Sequence, residues 1–425
     1  MNILILGGGG REHAFAWKIS QSRDCSALFI APGNAGTTAF GTNLSLDPVD
    51  FFAVRNACLE HSIEMVVVGP EEPLVKGIVD FFMVDPDLKG IQVIGPSASA
   101  ARMEGSKAFS KQFMIRHGIP TAAYKEFDAD HFSEGSEYLS THSLPVVLKA
   151  DGLAAGKGVI ICNNHLEAMA EFELMLLQDK FGVAGRRIVV EEFLDGIEVS
   201  VFVLTDGDNY VILPEAKDYK KIGEGDKGPN TGGMGAVSPV PFADNAFMLK
   251  VRDRIIEPTI EGLKKDGIEY RGFLFIGLIK VNEEPLVIEY NCRMGDPETE
   301  VVIPRLKNDL VELFQAVADR KLHEKDIQID ARAAATMVAV SGGYPGSYEK
   351  GFPIKGLDQF YAGSLVFHSG TRLEKGEVVT NGGRVLCVTS YAESLQDAIR
   401  RSMIVLTKID FEGMYFRRDI GYEFQ

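Results

Sequence analysis

The sequence predicts a multidomain protein of the α/β and α+β classes that begins with a doubly wound parallel sheet. Its 425 residues are too many for one compact core, so several domains are expected. In the first hundred residues, short apolar runs alternate with helical patterns, as in parallel strands joined by crossover helices. These runs cover residues 3–6, 27–30, 65–68 and 91–94. The later patterns mix strands and helices without a repeat, which favours further α+β domains.

The rest of the chain is predicted element by element from hydrophobic periodicity. A helical pair is expected at 97–117, followed by strands at 146–150 and 158–162, a helix at about 165–178, and strands near 188–193 and 196–204. A long, mobile glycine-rich loop is expected over 218–238, then a helix around 243–264 and strands at 272–281 and 286–291. The last part should contain strands at 333–341 and 384–389 and a helix near 394–406.

Composition limits the classes of partner. With 44 basic and 60 acidic residues, the net charge of −16 argues against a broad basic face for nucleic acid, although a few lysines suffice for a small phosphorylated molecule.

The five cysteines are far apart and form no C-x-x-C pair, which indicates reduced, mostly buried thiols in a cytoplasmic protein. A strand-like run begins at the second residue, so we expect no signal peptide, and no apolar run is long enough for a membrane helix.

A run of four glycines, residues 7–10, stands between the first predicted strand and helix. Bare backbone N–H groups at a helix start can hold a phosphate. The dinucleotide fingerprint is incomplete, because Glu12 stands where its third glycine belongs and the second strand ends without a ribose-binding acid. A smaller phosphorylated ligand is favoured over NAD, and a purely structural tight turn is the alternative.

Residues 145–159 form a predicted strand, a loop of small residues and a second strand, with Lys149 and Lys157 at the two ends of the loop. The spacing from Gly152 to Gly156 and the absence of a following Ser or Thr exclude the Walker pattern. Lys149 should point inward from an apolar strand, so it needs an anionic partner. A surface hairpin with solvated lysines is the alternative, and it suits Lys157 better than Lys149.

Residues 189–198 form an apolar strand that runs into an acidic bend. Its backbone could bind the edge of an adenine, and Glu198 could accept hydrogen bonds from ribose hydroxyls. A solvated turn is the alternative. The glycines of 228–236, in the same long loop as Asp218, predict a lid or a backbone cradle.

The segment 287–298 carries the densest polar pattern. In a regular strand, Glu289 and Asn291 share one face, and Ile288, Tyr290 and Cys292 share the other. A carboxylate and an amide oxygen are ligands that Mg²⁺ or Mn²⁺ accepts. The Arg, Gly and Asp that follow, at 293, 295 and 296, could hold a small zwitterion. A strand that ends at a polar surface turn is the alternative.

Together these motifs resemble the ATP-grasp superfamily, which implies a two-lobed ATP-binding core between the N-terminal sheet and a small mixed α/β C-terminal domain. The implied limits are 1–103, 104–322 with a small lobe of about 121–193, and 323–425. Longer motifs resemble the phosphoribosylamine–glycine ligase family, and the resemblance spans nearly the whole chain. They are the segments 9–13, 31–36, 68–71, 150–159, 229–235, 291–298 and 381–385.

The resemblance implies that ATP, glycine and 5-phosphoribosylamine give glycinamide ribonucleotide, ADP and phosphate through glycyl phosphate, in purine biosynthesis. It assigns the metal to Glu289 and Asn291, and the glycine to Arg293 and Gly295 with Asp218 or Asp296 on the ammonium; Lys220 is counted with the catalytic groups. The residues implied to hold ATP are Lys107, Lys149, Gly156, Lys157, Glu191, Glu192, Phe193, Leu194 and Glu198. The residues implied to receive phosphoribosylamine are Gly9, Gly10, Asn34, Gly36 and Glu71.

One departure and two alternatives accompany the resemblance. Many superfamily members carry a third acidic metal ligand about a dozen residues before the Glu-x-Asn pair, but residues 275–278 contain no acid. A related ligase with another acceptor substrate, such as a biotin carboxylase-like or formate-using enzyme, is one alternative; a nucleotide sensor without turnover is the other. The expected partners are small molecules only, in a monomer or weak homodimer.

Overall fold

The structure is a computed structural model that describes residues 1–154 and 158–424. The N-terminal domain is a parallel sheet with strand order β3-β2-β1-β4-β5, which confirms the predicted doubly wound fold. Its apolar runs are buried because helices cover both faces of the sheet. The elements are β1 (Asn2–Gly7), α1 (Gly10–Ile19), β2 (Ala27–Pro32), β3 (Thr42–Asn43), α2 (Phe51–Glu60), β4 (Met65–Val68), α3 (Glu71–Val75), α4 (Ile78–Val84) and β5 (Gln92–Ile94).

A helical pair leads to a small antiparallel lobe. The pair is α5 (Ala98–Gly105) and α6 (Lys107–Arg116), each of which begins after a serine whose hydroxyl caps the helix. The lobe has strand order β6-β9-β7-β8 and its own apolar core. Its elements are β6 (Tyr124–Asp128), α7 (Phe132–Thr141), β7 (Val146–Ala150), β8 (Val159–Cys162), α8 (His165–Leu176) and β9 (Arg187–Glu192).

The second lobe is built on an antiparallel sheet of four strands, which are β10 (Ile197–Thr205), β11 (Tyr210–Ile212), β16 (Gly272–Val281) and β17 (Glu284–Asn291). Their order in the sheet is β11-β10-β16-β17. The prediction of one long loop over 218–238 is wrong, because that stretch contains short paired strands. They are β12 (Lys217–Asp218), β13 (Lys221–Gly223), β14 (Lys227–Asn230) and β15 (Gly235–Ser238). Glycine-rich strands this short have no alternation of polar and apolar residues that would identify them in the sequence. They are recognised only in the structure, by the strands with which they pair.

The helix predicted around 243–264 is present, but a π-helical turn at Arg252–Ile256 divides it into α9 (Asn245–Val251) and α10 (Glu257–Lys265). The two long strands of the lobe follow as β16 (Gly272–Val281) and β17 (Glu284–Asn291). Between these lobes lies the cleft described below, so this part has the two-lobed architecture that was predicted.

The C-terminal part contributes β18 (Ala333–Val340), β19 (Ser364–His368) and β22 (Arg384–Ala392) to a sheet of order β12-β15-β18-β22-β19. Two strands of that sheet, β12 and β15, come from the second lobe, so the sheet continues across both parts of the chain. The elements are α11 (Thr299–Arg305), α12 (Leu310–Ala318), β18 (Ala333–Val340), β19 (Ser364–His368), β20 (Thr371–Glu374), β21 (Glu377–Thr380), β22 (Arg384–Ala392) and α13 (Leu395–Leu406). Within the described ranges, no helix combines the length and apolar character that a membrane span requires.

Candidate active site

A polar cavity of about 810 Å³ opens where the N-terminal sheet, the two lobes and the C-terminal part meet. Its lining includes twelve of the residues singled out from the sequence. They are Glu71, Lys107, Lys149, Glu191, Glu198, Asp218, Lys220, Glu289, Asn291, Arg293, Gly295 and Asp296. The cavity is large enough for a nucleotide with a second small ligand.

The buried ammonium of Lys149 has the anionic partner that its strand position requires. Its Nζ lies 2.9 Å from the carboxylate of Glu191 and donates to the Ile288 carbonyl at 3.2 Å. Glu191 is shared with Lys111 at 3.2 Å, and Lys111 also donates to Thr121. Burial lowers the pKa of Lys111 to about 8. Two buried lysines on one carboxylate leave a net positive charge suited to an anion, and sequence reasoning missed Lys111, which belongs to no recognisable motif.

The other ATP-side residues differ in how far they reach the cavity. Lys107 begins α6, donates to the Gly152 carbonyl at 3.3 Å, and has its pKa lowered by burial. Glu192 accepts from the Ala123 backbone N–H at 2.8 Å, and Phe193 is partly exposed. Glu192, Phe193 and Leu194 do not line the cavity as it is shaped here. The predicted phosphate contacts Gly156 and Lys157 lie outside the described residues.

Lys220 stands among three carboxylates in the second lobe. Its Nζ lies 2.7 Å from Glu198, and Asp218 and Glu289 also act on it electrostatically. Burial alone would lower the pKa of Lys220, but these carboxylates outweigh it and raise that pKa well above its usual value. Burial raises the pKa of Asp218. The Lys220 ammonium neutralises part of the charge of these three carboxylates, and a bound cation would compete with Lys220 for them.

The Glu-x-Asn pair lies on β17, and both side chains reach the cavity. A β-bulge occurs there: Gly277 pairs with Glu289 while Leu278 pairs with Val287, so Ile288 is the extra residue. The prediction that Ile288 faces away from Glu289 is therefore wrong. Val287 and Tyr290 belong to the buried core, and Ile288, Glu289 and Tyr290 all border the cavity.

The pair fits a divalent cation. Burial would raise the pKa of Glu289, but the ammonium groups of Lys220, Lys149 and Lys107 outweigh it and lower that pKa, so the carboxylate is ionised. The buried amide nitrogen of Asn291 has no hydrogen-bond partner among the described residues. A half-turn of this amide would therefore cost no hydrogen bond of that nitrogen, and it would exchange the positions of the amide nitrogen and the oxygen that can bind a cation. A Cβ at Gly277 would lie 3.1 Å from the Glu289 side chain, so an acid at this position would require Glu289 to shift slightly.

Two carboxylates hold Arg293 at one end of the cavity. Its Nε lies 3.1 Å from Glu71 and its Nη2 donates to Glu104 at 2.7 Å. Burial would raise the pKa of Glu71, but Arg293 and Arg11 outweigh it and lower that pKa to about 2. Glu104 also accepts from the Cys292 backbone N–H at 2.8 Å, and burial raises its pKa. Glu104 lies on α5 without a motif around it, so sequence reasoning did not find it.

The segment after Arg293 turns toward the C-terminal part. Asp296 lies 3.1 Å from the guanidinium of Arg384, and its Oδ2 accepts from the Arg11 backbone N–H at 3.4 Å. A Cβ at Gly295 would meet the Glu298 carboxylate at 2.3 Å, so a larger residue there would require the Glu298 side chain to move. Burial and the nearby Asp218 raise the pKa of Glu298 to about 7.

The predicted phosphoribosylamine residues divide into two groups. Glu71 lines the cavity, whereas Gly9, Gly10, Asn34 and Gly36 do not. The Asn34 amide nitrogen donates to the carbonyls of Gly8 and His368, and its oxygen accepts from Gly36. A Cβ at Gly10 would lie 2.2 Å from the Glu300 carboxylate. In this arrangement these residues shape the glycine loop and its contact with the C-terminal part.

Three features around the two-lobed cleft define an ATP-grasp enzyme. They are Lys149 on the first of two paired strands, the acidic bend after β9, and the Glu-x-Asn pair on β17. The fold is shared with the biotin carboxylase domain of a 2-oxoglutarate carboxylase from Hydrogenobacter thermophilus, at a TM-score of 0.73 and 18% identity over 97% of this chain and 91% of that one. Enzymes of this class use ATP and, in general, a divalent metal ion on small-molecule substrates.

Family models for phosphoribosylglycinamide synthetase match residues 1–104 (N domain), 105–299 (ATP-grasp A domain) and 334–423 (C domain). A phosphoribosylamine–glycine ligase from Escherichia coli is 46% identical over 99% of this chain and 98% of its own length. The crystal structure of one from Thermotoga maritima has a TM-score of 0.83, with 34% identity over 99% of this chain and all of that one. The chain belongs to the phosphoribosylamine–glycine ligase family.

Proposed function

We propose that this protein joins glycine to 5-phosphoribosylamine at the expense of ATP, giving glycinamide ribonucleotide, ADP and phosphate in purine biosynthesis. The observation that carries the proposal is the similarity to phosphoribosylamine–glycine ligases over nearly the full length of the chain. The chemistry of the cavity agrees with it, because it combines clusters of both charges in one enclosed space.

In the first step, an oxygen of the glycine carboxylate attacks the γ-phosphorus of ATP and ADP leaves, giving glycyl phosphate. Lys107 and Lys149 bind phosphate oxygens, whose negative charge must be neutralised before two anions can approach. In the second step, the amine of phosphoribosylamine attacks the carbonyl carbon, the bond from that carbon to the phosphate oxygen breaks, and the departing phosphate takes up the proton that the nitrogen loses. The amine is already nucleophilic, so no protein base is needed to activate it.

Glu289 and Asn291 would hold Mg²⁺ or Mn²⁺, since both are hard oxygen ligands on the same side of the cavity. The ion would supply charge neutralisation at the ATP phosphates. On the adenosine, we assign the ribose hydroxyls to Glu198. The Glu191 carboxylate is buried between Lys111 and Lys149, whereas the Glu198 side chain is more exposed and pairs through one oxygen with Lys220.

Glycine would bind between Arg293 and Asp218. Arg293 directs Nε and Nη2 to the carboxylates of Glu71 and Glu104, which fix its plane. Among the described residues, its Nη1 has only a long contact of 3.4 Å to the Met294 carbonyl, so it can donate to the glycine carboxylate. Asp218 or Asp296 would receive the ammonium. Gly9, Gly10, Asn34 and Gly36 would receive phosphoribosylamine just outside the present lining of the cavity, with Glu71 at its edge.

The proposal includes a cytoplasmic protein that acts as a monomer or weak homodimer. Its domains would cover residues 1–103, 104–322 and 323–425, with the small ATP lobe at about 121–193.

The direct test is ADP release, coupled to a detection enzyme, with ATP, glycine and freshly prepared phosphoribosylamine, each omitted in turn. We expect release to need all three, and mass spectrometry to find glycinamide ribonucleotide. Parallel reactions replace glycine with bicarbonate or formate. Turnover with either of those and not with glycine would overturn the proposal in favour of another ATP-grasp ligase.

A further inference from the structure

Residues 416–424 fold back onto the second lobe and reach the cavity. Arg417 is fully buried and pairs with Asp226 at 2.7 Å and Asp419 at 2.8 Å. Asp226 lies between β13 and β14, and its other oxygen accepts from the hydroxyl of Tyr422 at 2.9 Å. Tyr422 and Glu423 both line the cavity. This segment therefore forms part of the cavity wall.

Glu423 is the residue through which this segment contacts a charged group of the second lobe. Its Oε1 lies 2.9 Å from the ammonium of Lys217, and its Oε2 accepts from the Tyr219 hydroxyl at 2.8 Å. The Lys217 and Glu423 side chains are only 10% and 16% exposed, so water screens this pair little. The Tyr219 hydroxyl fixes the carboxylate, and the carboxylate in turn fixes the ammonium.

Lys217 retains the capacity to bind an anion in this position. An ammonium has three N–H donors, and one is directed to Glu423. A second contact, to the Asp218 carbonyl, is long at 3.4 Å, and the Tyr219 ring lies 4.1 Å away. Lys217 lines the cavity directly before Asp218, to which we assign the glycine ammonium, and its charge acts on Asp218 and Glu198.

We propose that Glu423 is a positioning residue of the active site, and that it holds the Lys217 ammonium toward an anionic oxygen of the bound substrates. This rests on the proposed function. The anion is either the glycine carboxylate or a phosphate oxygen of ATP, since both are oxyanions that an ammonium binds. Glu423 acts through Lys217 and does not touch substrate itself.

The test compares Glu423→Gln, Lys217→Met and the double variant with the unmodified chain. The matched control is Glu412→Gln, which removes an exposed acid in the same terminal region. We expect each single variant to raise the KM for glycine or for ATP roughly tenfold, as when a hydrogen bond to a charged group is lost. The double variant should be no worse than Lys217→Met, because both changes remove one interaction.

A rise in the glycine KM alone identifies the carboxylate as the anion, and a rise in the ATP KM alone identifies a phosphate; either result supports the proposal. Unchanged KM values, an additive double variant, or an equal change in all three KM values together with a lower melting temperature would overturn it. If Glu423→Gln does not fold, Tyr219→Phe removes one anchor of the carboxylate and should shift the same KM in the same direction. Lack of turnover in the unmodified chain would instead overturn the proposed function, and this inference with it.

Discussion

Replacing Glu104 with glutamine should weaken glycine binding, because no orientation of the amide can satisfy both of its neighbours. In the structure, Oε1 of Glu104 accepts from Arg293 Nη2 at 2.7 Å and Oε2 accepts from the Cys292 N–H at 2.8 Å. Glutamine has one acceptor oxygen and one NH₂ group. Whichever way the amide is turned, its NH₂ faces one of these two donors.

The magnitude follows from the bonds that are lost. If the NH₂ faces Arg293, a hydrogen bond to a charged group is lost, which costs about 1.5–3 kcal/mol. If it faces Cys292, a buried N–H is left without a partner, which costs about 1–3 kcal/mol. If the first loss appears fully in binding, the KM for glycine should rise roughly 10- to 150-fold, at about 1.4 kcal/mol for each factor of ten.

The assay is steady-state turnover over a range of glycine concentrations, with thermal unfolding measured in parallel. Glu72→Gln is a suitable control, because Glu72 forms an exposed ion pair with Lys76 whose loss costs less than about 1 kcal/mol. An unchanged glycine KM in Glu104→Gln would refute the role of Glu104 in orienting Arg293. A lower melting temperature with normal glycine saturation would show that the residue only stabilises the fold.

Three further outcomes are expected. Arg293→Ala should raise the glycine KM at least as much as Glu104→Gln does; normal saturation in initial-rate measurements would remove Arg293 from glycine binding. Glu289→Ala should abolish metal-dependent turnover with little change in circular dichroism, and a Mg²⁺ titration that restores full activity would contradict its role. Glu298 has its pKa raised from 4.5 to about 7, so the folded protein holds a proton that the unfolded chain releases between those pH values. The contribution of this group to stability is therefore complete below about pH 4.5 and lost as pH rises to about 7. The loss in unfolding free energy is on the order of 3 kcal/mol. Urea titrations at pH 5 and pH 8 should show a smaller loss in Glu298→Gln than in the unmodified chain.

The parts of the fold that sequence could predict are those with a local signal. The strands of the N-terminal sheet are continuous apolar runs because both faces of the sheet are covered, and Lys149 could be expected to need an acid because its strand is otherwise apolar. The strands within 218–238 could not be predicted, since they are short, rich in glycine and stabilised by distant partners.

The same distinction holds in the site. The Glu289–Asn291 pair can be recognised as a sequence motif. Glu104 contacts Arg293 from 189 positions earlier in the chain, and the residues around Glu104 form no motif that predicts this contact. Glu423 likewise lies 204 positions from Tyr219. The face of Ile288 was predicted from regular alternation, which a single bulge reverses without any mark in the sequence.

The bulge at Ile288 makes this strand respond differently to substitution and to deletion. A bulged residue lies outside the regular ladder, and the Ile288 carbonyl accepts from the ammonium of Lys149 at 3.2 Å. A different side chain at this position keeps that carbonyl, whereas deletion of one residue removes it and closes the ladder against Gly277. Length is therefore the property of this strand that a redesign of the enzyme must preserve, more than the identity of residue 288.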